Sequence, residues 1–268
     1  MRNPLGFINL NDFSISTWLL FGASIQCLLV ASLPRNVALL PPFALLLLRI
    51  LRAYLQANGY LRNPRESGVT IGRHTWQIPS KHGSQPPATH ASESVVVLVL
   101  AASWAHPNGR LSPGSEEVGG YFRKMWNDAE TNREKYGYLG HTPELGAIES
   151  GNDKSTTTVT LSYWKTLDGL YAFTSAKAHM NGQLWWERGA MDEYPHIGIA
   201  HEVYEVPAGN WENVFHNFKP FGISATTYPV PSSVGETEKN GSTRWISGLR
   251  SADGKEWKDS RARMGRRL

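Results

Sequence analysis

The order of predicted secondary-structure elements between residues 94 and 207 restricts the fold of this chain more than any other feature. β-Branched and aromatic runs predict strands, and apolar residues at three-to-four spacing behind a capping residue predict helices. These patterns predict, in order, a strand at 94–100, a helix from 115 to Gly137, strands at 139–149 and 156–164, a helix from Thr166 to about Arg188, and a strand at 195–207. This order is typical of the ferredoxin-like βαββαβ fold, an α+β fold in which two helices cover one face of a four-stranded antiparallel sheet.

The last of these strands is bounded by Pro195 and Pro207 and places a histidine among aliphatic residues. Successive side chains of a strand point to opposite faces, so His201 shares a face with Ile199, while Glu202 lies on the other face. We therefore expect His201 to be at least partly buried. A histidine in this position is either a core residue that is hydrogen-bonded to a neighbour or part of a functional site.

The second predicted helix offers a face that matches this strand. Ala172, Ala176, His179 and Gln183 recur at spacings of four, three and four residues, so they form one stripe along the helix. Small side chains beside a histidine leave room for a ligand. A surface histidine is the alternative interpretation of His179.

These patterns predict an apolar, aromatic pocket between the helices and the sheet, with a few polar groups. Histidine is the base whose ordinary pKa lies nearest to neutral pH, so the two histidines are the candidate catalytic groups. Tyr163 and Trp164 are adjacent on one strand and point to opposite faces, so one of them reaches the interior. The candidate site residues are, for catalysis, His201 and His179, and, for substrate binding, Tyr163, Trp164, Trp186, Gln183 and Ile199.

The composition excludes several classes of site. Cys27 is the only cysteine, so the chain has no internal disulfide and no cysteine cluster for zinc or an iron–sulfur centre. No glycine-rich dinucleotide fingerprint follows a predicted strand. The net charge is only +4, and much of the positive charge lies in residues 255–267, which is unlike a nucleic-acid-binding surface. We predict no bound metal, no nucleic-acid partner and a reaction without a cofactor.

Two apolar runs near the N-terminus predict a membrane-associated segment over residues 1–58. The run at 16–33 carries no charge and has the length of a minimal membrane span. The run at 37–48 is shorter and spans only if Arg49 and Arg52 reach the interface with their long side chains. The arginines that follow predict a cytosolic position for the rest of the chain, and we expect the endoplasmic reticulum membrane. A secretory signal peptide and a buried hydrophobic hairpin are the alternatives.

The remaining chain divides into three parts by composition. Residues 59–92 are rich in Gly, Pro, Ser and Asn and predict a linker with one short strand around 75–78. Residues 93–224 form the predicted ferredoxin-like domain, and residues 225–268 predict a polar, basic tail. Its end at 261–267 is predicted to be disordered and solvated, and contact with anionic lipid headgroups is the alternative. Within the domain, the aromatic segment 211–222 either covers the pocket as a lid or packs on the edge of the sheet.

Six short motifs of the predicted domain resemble a known family. They are YFRKMW (121–126), YGYLG (136–140), LSYW (161–164), AHM (178–180), WW (185–186) and IAHEVY (199–204). With the apolar N-terminal hairpin, they resemble a fungal monooxygenase-like family that is similar to the antibiotic-biosynthesis monooxygenases and occurs in secondary-metabolite clusters such as the fumagillin pathway. The resemblance implies a dimeric α/β barrel, in which the sheets of two subunits pack together, and oxygenation of a terpenoid or polyketide intermediate. It implies no particular catalytic residue.

Three functions from different classes follow from these observations. The leading hypothesis is a cofactor-independent monooxygenase in which His201 or His179 removes a proton from an electron-rich substrate in a dry pocket, with dioxygen as the second substrate. The first alternative is a haem enzyme with His179 as the axial ligand, because haem-dependent dehydratases resemble this fold. The second alternative is a membrane-tethered binding protein that presents a lipophilic intermediate to another enzyme without turnover. We expect a homodimer.

Overall fold

The computed structural model describes residues 15–79, 91–147, 156–231 and 243–266. The chain forms two compact units, and their boundary lies between Val69 and Thr70. The N-terminal unit contains two long helices, α1 (Ile15–Ser32) and α2 (Arg35–Ala57). The C-terminal unit contains every strand that the structure describes, and it holds the candidate site.

The two N-terminal helices expose their apolar side chains. Among their residues only Ala38 of α2 is buried, and both helices are long and apolar enough to cross a membrane, with mean hydropathies of 1.6 and 1.7. This exposure does not fit the alternative of a buried hairpin, which would hide these side chains. A signal sequence near the N-terminus has the same length and composition, so insertion into a membrane stays a prediction.

A glutamine of α1 compensates for the prolines inside α2. Pro42 has no N–H, so the carbonyl of Ala38, four residues earlier, lacks its helical donor. The Gln26 Nε2 atom donates a hydrogen bond to this carbonyl oxygen over 2.9 Å. Because an unsatisfied carbonyl is costly in hydrocarbon, this bond stabilises α2 at Pro41 and Pro42 and joins it to α1.

The C-terminal unit is an α+β domain. Its described strands are β1 (Thr70–Trp76), β2 (Val95–Trp104), β3 (Tyr138–His141), β4 (Leu145–Ala147), β5 (Thr156–Trp164), β6 (Ile197–Val206), β7 (Phe215–Phe218), β8 (Thr227–Pro231), β9 (Thr243–Ser247) and β10 (Leu249–Ser251). Its described helices are α3 (Ser115–Thr131), α4 (Arg133–Tyr136), α5 (Leu167–Thr174), α6 (Lys177–Trp185), α7 (Met191–Glu193) and α8 (Ser260–Arg263).

The main sheet has the strand order β3-β5-β2-β6, with all neighbours antiparallel, and β4 also pairs with β5. The connections β2-α3-β3 and β5-α5-α6-β6 carry the helices. This order is that of the split βαββαβ arrangement, so the predicted α+β fold with an antiparallel sheet is confirmed. Among the described strands, β6 pairs only with β2, and it is therefore an edge strand of this sheet.

Both predicted helices are interrupted. The first ends as predicted at Gly137, whose φ of 60° lies in the left-handed region that favours glycine. The second begins after Thr166, whose hydroxyl accepts a hydrogen bond from the Gly169 N–H over 3.1 Å. It breaks at Ala176, which has extended backbone angles, and after α6 it is kinked within Trp186–Ala190, where Gly189 has non-helical angles with a φ of 147°; we call this segment the kinked turn.

The helices pack on one face of the main sheet, which we call the helix face. Trp164 is fully buried there, and its Nε1 donates a hydrogen bond to the Ser162 Oγ over 2.9 Å. The buried residues of this core are Val96, Leu98, Ala129, Tyr136, Tyr138, Trp164, Leu170 and Phe173.

The opposite face is covered at one end by smaller sheets of the same chain. Strands β10, β1 and β7 form a three-stranded sheet, and β8 pairs with β9. The neighbouring sheet residues Val97 and Tyr163 pack against this layer. Its buried core consists of Trp76, Ile78, Ala91, Val95, Leu139, Trp211, Tyr228 and Val230.

This layer corrects two predictions from composition. The predicted linker contains β1 and the buried Trp76, so residues 70–79 are part of the folded unit. The predicted polar and basic tail contains the buried Trp257, and its end, predicted to be disordered, contains the buried Arg263. The Arg263 Nε donates to the Glu212 Oε2 over 2.5 Å, so this cation neutralises a carboxylate instead of adding to a solvated basic end.

The aromatic segment 211–222 also belongs to this layer. Trp211 lies 6.1 Å from Trp76 between ring centroids, and its Nε1 donates to the Glu93 carbonyl over 2.8 Å. None of its described residues lines the cavity on the helix face. Of the two predicted alternatives, the structure therefore favours packing over a lid.

Candidate functional site

A cavity of about 480 Å³ lies between the helix face of the sheet and the helices α3, α5 and α6. Its sheet side is formed by β2 and β6, and its helix side is largely aromatic. The lining includes Leu98, Leu100, Ile199, His201 and Val203 from the strands, and Val118, Tyr121, Phe122, Met125, Trp126, Phe173, His179, Gln183, Trp185, Trp186 and Glu187 from the helical side.

The register of β6 on β2 places the strand side chains in this cavity. Leu100 pairs with His201 and Leu98 pairs with Val203, so these four side chains share the helix face. The predicted grouping of His201 with Ile199 is therefore correct, since both line the cavity. The expected burial of His201 is wrong, because β6 is an edge strand and the cavity leaves this side chain uncovered.

His179 is the half-buried histidine of the cavity. Its ring lies edge-on to Phe173, with 5.7 Å between ring centroids, and its Nδ1 atom is buried without a partner in hydrogen-bonding geometry. Burial lowers the pKa of His179, the nearby Thr174 carbonyl opposes this shift, and the charge that His201 can carry lowers the pKa further. The imidazole of His179 is thus neutral at neutral pH and can accept a proton.

The exposed mouth of the cavity carries a hydrogen-bonded polar pair. The Gln183 Nε2 atom donates to the Glu187 Oε1 atom over 2.8 Å. Glu187 stands on the kinked turn, beside Trp186, which also lines the cavity. The sequence patterns predicted Gln183 and Trp186 as site residues. They did not include Glu187, although it lies four residues after Gln183 and continues the same helical stripe.

Two predicted substrate-binding residues lie outside the cavity. Of the adjacent residues Tyr163 and Trp164, Trp164 is the one that reaches the interior. It is enclosed in the core of the helix face and does not line the cavity. Tyr163 points to the opposite face, where its hydroxyl lies beside Gly222. A Cβ atom added to Gly222 would lie only 2.9 Å from this hydroxyl oxygen. Burial raises the pKa of Tyr163. We therefore assign neither residue to substrate binding.

The cavity wall on α3 was not predicted as part of the site. Phe122, Met125 and Trp126 recur at three-to-four spacing, which predicted the helix, and they lie in the YFRKMW motif of the family resemblance, but they were not predicted as lining residues. Trp126 also stacks on His141, with 4.7 Å between centroids and 12° between planes, and His141 is hydrogen-bonded to the Tyr138 hydroxyl. The spacing of the aromatic residues was the available signal for this wall.

The described residues contain no group of three or more His, Cys, Asp or Glu side chains that could hold a metal ion. For haem, His179 is the predicted axial ligand. An axial histidine is normally oriented by a hydrogen bond from its other ring nitrogen, and the Thr174 backbone carbonyl lies near enough to the His179 ring to influence its pKa. His179 is thus placed for either role, as an axial ligand or as a free base.

Comparison with known proteins relates this chain to monooxygenases. Residues 95–223 match the family described as Monooxygenase af470-like. The chain is 29% identical over 267 residues to Monooxygenase af470 of Aspergillus fumigatus, and the alignment covers 98% of this chain and 91% of that protein. The matched residues include all the strands of the main sheet and the whole wall of the cavity.

Solved structures are similar to this chain only at low identity. An aldoxime dehydratase, OxdRE in complex with butyraldoxime, is 12% identical with a TM-score of 0.37, covering 62% of this chain and 44% of that one. The cofactor-independent oxygenase SnoaB of Streptomyces nogalater is 12% identical with a TM-score of 0.25, covering 42% and 92%. This chain thus spans less than half of the aldoxime dehydratase, and no function is inferred from scores this low. The family match confirms the resemblance indicated by the sequence motifs, and the cavity-bearing domain over residues 95–223 is similar to the Monooxygenase af470-like family.

Proposed function

We propose that this protein is a monooxygenase that oxidises a lipophilic terpenoid or polyketide intermediate of secondary metabolism in the cavity of the helix face. The family match supports a monooxygenase, and the apolar, aromatic lining suits a lipophilic substrate. The observation that carries the proposal is the desolvated His179, whose lowered pKa leaves a neutral base inside an apolar cavity.

In the proposed reaction His179 removes a proton from an activated C–H group of the substrate. The resulting carbanion transfers electrons to dioxygen, and the peroxide that forms at this carbon collapses to a carbonyl and water. A CH₂ group and O₂ thus give C=O and H₂O, so one oxygen atom enters the product and the substrate supplies all the electrons. This balance needs no cofactor, and an apolar cavity keeps water from the carbanion.

The other lining residues divide between packing and polar contact. Ile199 and Trp186 present apolar surface to the substrate, and the Trp186 indole adds an N–H donor for developing negative charge on oxygen. His201 and Gln183 stand at the mouth, where they meet the polar end of a substrate. His201 also favours the neutral form of His179, because a charge on His201 opposes protonation of its neighbour.

The N-terminal helices fit this function as a membrane anchor. Lipophilic intermediates partition into the bilayer, so a cavity tethered to it meets them at a raised local concentration. We place the anchor in the endoplasmic reticulum membrane with the C-terminal unit in the cytosol, as the arginines after the apolar runs predict.

A homodimer remains part of the proposal. The small sheets cover only one end of the opposite face, and elsewhere this face carries exposed residues such as Tyr204 of β6. A second subunit is the proposed cover for the rest. Sedimentation equilibrium of the detergent-solubilised full chain tests this, and a monomer at micromolar concentration would remove this part of the proposal.

The experiment that tests the enzymatic activity uses the host itself as the source of substrate. Deletion of the gene should make an intermediate accumulate, and membranes that carry the full-length protein should convert this compound with ¹⁸O₂. The product should gain one ¹⁸O atom, and a second ¹⁸O should appear in water. Binding of the compound without oxygen uptake would instead support the membrane-tethered binding protein.

The same preparation separates the haem alternative. An absorption spectrum of the purified full-length protein shows a Soret band if haem is bound, and loss of that band in His179→Ala would assign the ligand. Label transfer from ¹⁸O₂ in protein that has no Soret band is the result expected here.

A further inference from the structure

The three-stranded sheet exposes apolar side chains at the end where β1 begins and β7 ends, and we call residues 70–72 and 216–219 the sheet tip. Among the large apolar side chains described in the C-terminal unit, Ile71 is the most exposed, at 75%, and Phe218 is 51% exposed. Because β1 and β7 are antiparallel and Thr70 pairs with Phe218, both side chains lie at the same end of the sheet. Apolar residues that are exposed singly are common, whereas apolar residues exposed together indicate an interaction surface.

A β-bulge shapes the sheet tip, because Ile71 and Gly72 of β1 together stand opposite Asn217 of β7. The Asn217 Oδ1 atom accepts a hydrogen bond from the Gly72 N–H over 2.8 Å. Asn217 has a φ of 47° and Gly72 has a φ of 97°, values that asparagine and glycine tolerate better than other residues. Since bulges redirect side chains, the exposure of Ile71 follows from a backbone that this hydrogen bond holds in place.

The charge at the sheet tip is positive. Residues 70–73 and 215–219 contain no acidic residue, and the exposed Lys219 directly follows Phe218. Apolar area and positive charge both add to binding at a membrane interface, where an apolar interior meets anionic headgroups. The composition of the sheet tip therefore suits a lipid surface.

The course of the chain favours a membrane as the partner of this surface. Only residues 58–69 separate the end of α2 at Ala57 from Thr70, so the sheet tip is the part of the C-terminal unit that follows the proposed membrane anchor most closely along the chain. A tether raises the local concentration of the bilayer around the unit that it holds, so a contact by a few side chains is sufficient.

We propose that the sheet tip is a membrane-contact surface, in which Ile71 and Phe218 insert into the interfacial region of the bilayer and Lys219 binds anionic lipid headgroups. The proposal rests on the membrane anchor of the proposed function and does not depend on the reaction. This contact fixes one end of the C-terminal unit on the membrane, which restricts how the cavity is presented to a substrate dissolved there.

The test places an environment-sensitive label on the sheet tip. Cys27 is the only cysteine, so the variant Cys27→Ser/Phe218→Cys accepts a single nitrobenzoxadiazole label. The full-length protein is reconstituted into vesicles of phosphatidylcholine and phosphatidylserine, with and without lipids that carry a nitroxide near the headgroup. The label should lose emission intensity when nitroxide lipids are present. This loss should be smaller without phosphatidylserine, because Lys219 then has no anionic partner.

Two matched variants serve as controls. Met191 is also 51% exposed and lies on α7, outside the sheet tip, so a label at Met191→Cys in the same background should keep its intensity with nitroxide lipids. In the protein labelled at position 218, Ile71→Ser should weaken the quenching, because the two apolar side chains insert together. Leu111→Ser, at another exposed apolar position, should leave the quenching unchanged.

Flotation of the vesicles in a density gradient separates the ways in which the proposal can fail. Protein that floats with the vesicles but shows no quenching at position 218, or equal quenching at positions 218 and 191, would overturn the membrane contact alone. A label at 218 that is shielded from an aqueous quencher but insensitive to nitroxide lipids would also overturn it and would assign the sheet tip to a second subunit. Protein that does not float would remove the anchor together with the contact. Turnover is not measured, so none of these results bears on the proposed reaction.

Discussion

The two faces of the main sheet use the same strands for different purposes. On the opposite face, small sheets from both ends of the C-terminal unit enclose Trp76, Trp211 and Tyr228 in a dense core. On the helix face, the helices leave a cavity of about 480 Å³ that the edge strand β6 opens to solvent. The packed face stabilises the fold, which allows the helix face to keep an unfilled space.

The comparison explains where charged and titratable groups occur. The packed face pairs its carboxylates: Glu93 accepts from the Tyr228 hydroxyl over 2.6 Å, and Glu212 accepts from Arg263. The helix face keeps His179 beside the cavity, where burial lowers its pKa. Buried nitrogens without a partner occur on both faces, since the His74 Nδ1 and Trp76 Nε1 atoms of the packed face also have none, so this feature does not separate the two faces.

The largest expected effect lies on the packed face. Trp76 is fully buried, and Trp76→Ala should lower the free energy of unfolding by about 3–5 kcal/mol through lost burial and the resulting cavity. Denaturation followed by circular dichroism measures this. The control is Tyr171→Ala, which removes an aromatic ring that is 57% exposed at the cavity and should cost less than about 1 kcal/mol. Equal effects would contradict the difference between the faces.

The next effect lies on the helix face and is catalytic. His179→Gln should lower kcat/KM by about a hundredfold to ten thousandfold, because the base is lost, and should change the unfolding free energy by less than about 1 kcal/mol. Lys177→Ala, an exposed substitution on the same helix, is the control and should keep full activity. His201→Gln should cost less than His179→Gln. Full turnover by His179→Gln would remove His179 from the mechanism.

A smaller effect separates buried from exposed tyrosine–glutamate pairs. Tyr228 donates to Glu93 and Tyr204 donates to Glu202, in both cases over 2.6 Å. Tyr228 is buried, so Tyr228→Phe should cost about 1.5 kcal/mol of unfolding free energy. Tyr204 is exposed, and Tyr204→Phe should cost less than about 0.5 kcal/mol. Similar costs would show that burial does not set the strength of these bonds.

The smallest effect is a pH dependence. A base must be neutral to act, and burial lowers the pKa of His179 below its ordinary value of 6.5. The value of kcat/KM should therefore stay level as pH falls to 6.5 and decline only below the lowered pKa, by about tenfold per pH unit. A pH profile of the wild-type protein measures this, and the residual activity of His179→Gln should lack the decline. A midpoint at or above 6.5 would contradict the assigned desolvation.

The sequence was sufficient for the local part of the candidate site. Alternation along β6 placed Ile199 and His201 on one face, and helical spacing placed His179 and Gln183 beside each other. The same patterns failed where long-range packing decides. They placed Tyr163 and Trp164 in the pocket, although Tyr163 belongs to the opposite face and Trp164 to the core.

The sequence by itself determined the order of the strands and helices and which of their side chains share a face. Periods of two and of three-to-four residues follow directly from strand and helix geometry. Only the tertiary structure decided that β6 is an edge strand, that residues 70–79 and the segment after 225 complete a core, and that the chain kinks at Gly189 after α6. These features depend on contacts between residues far apart in the chain. No local pattern encodes such contacts, so composition alone made the covering layer resemble a linker and a tail.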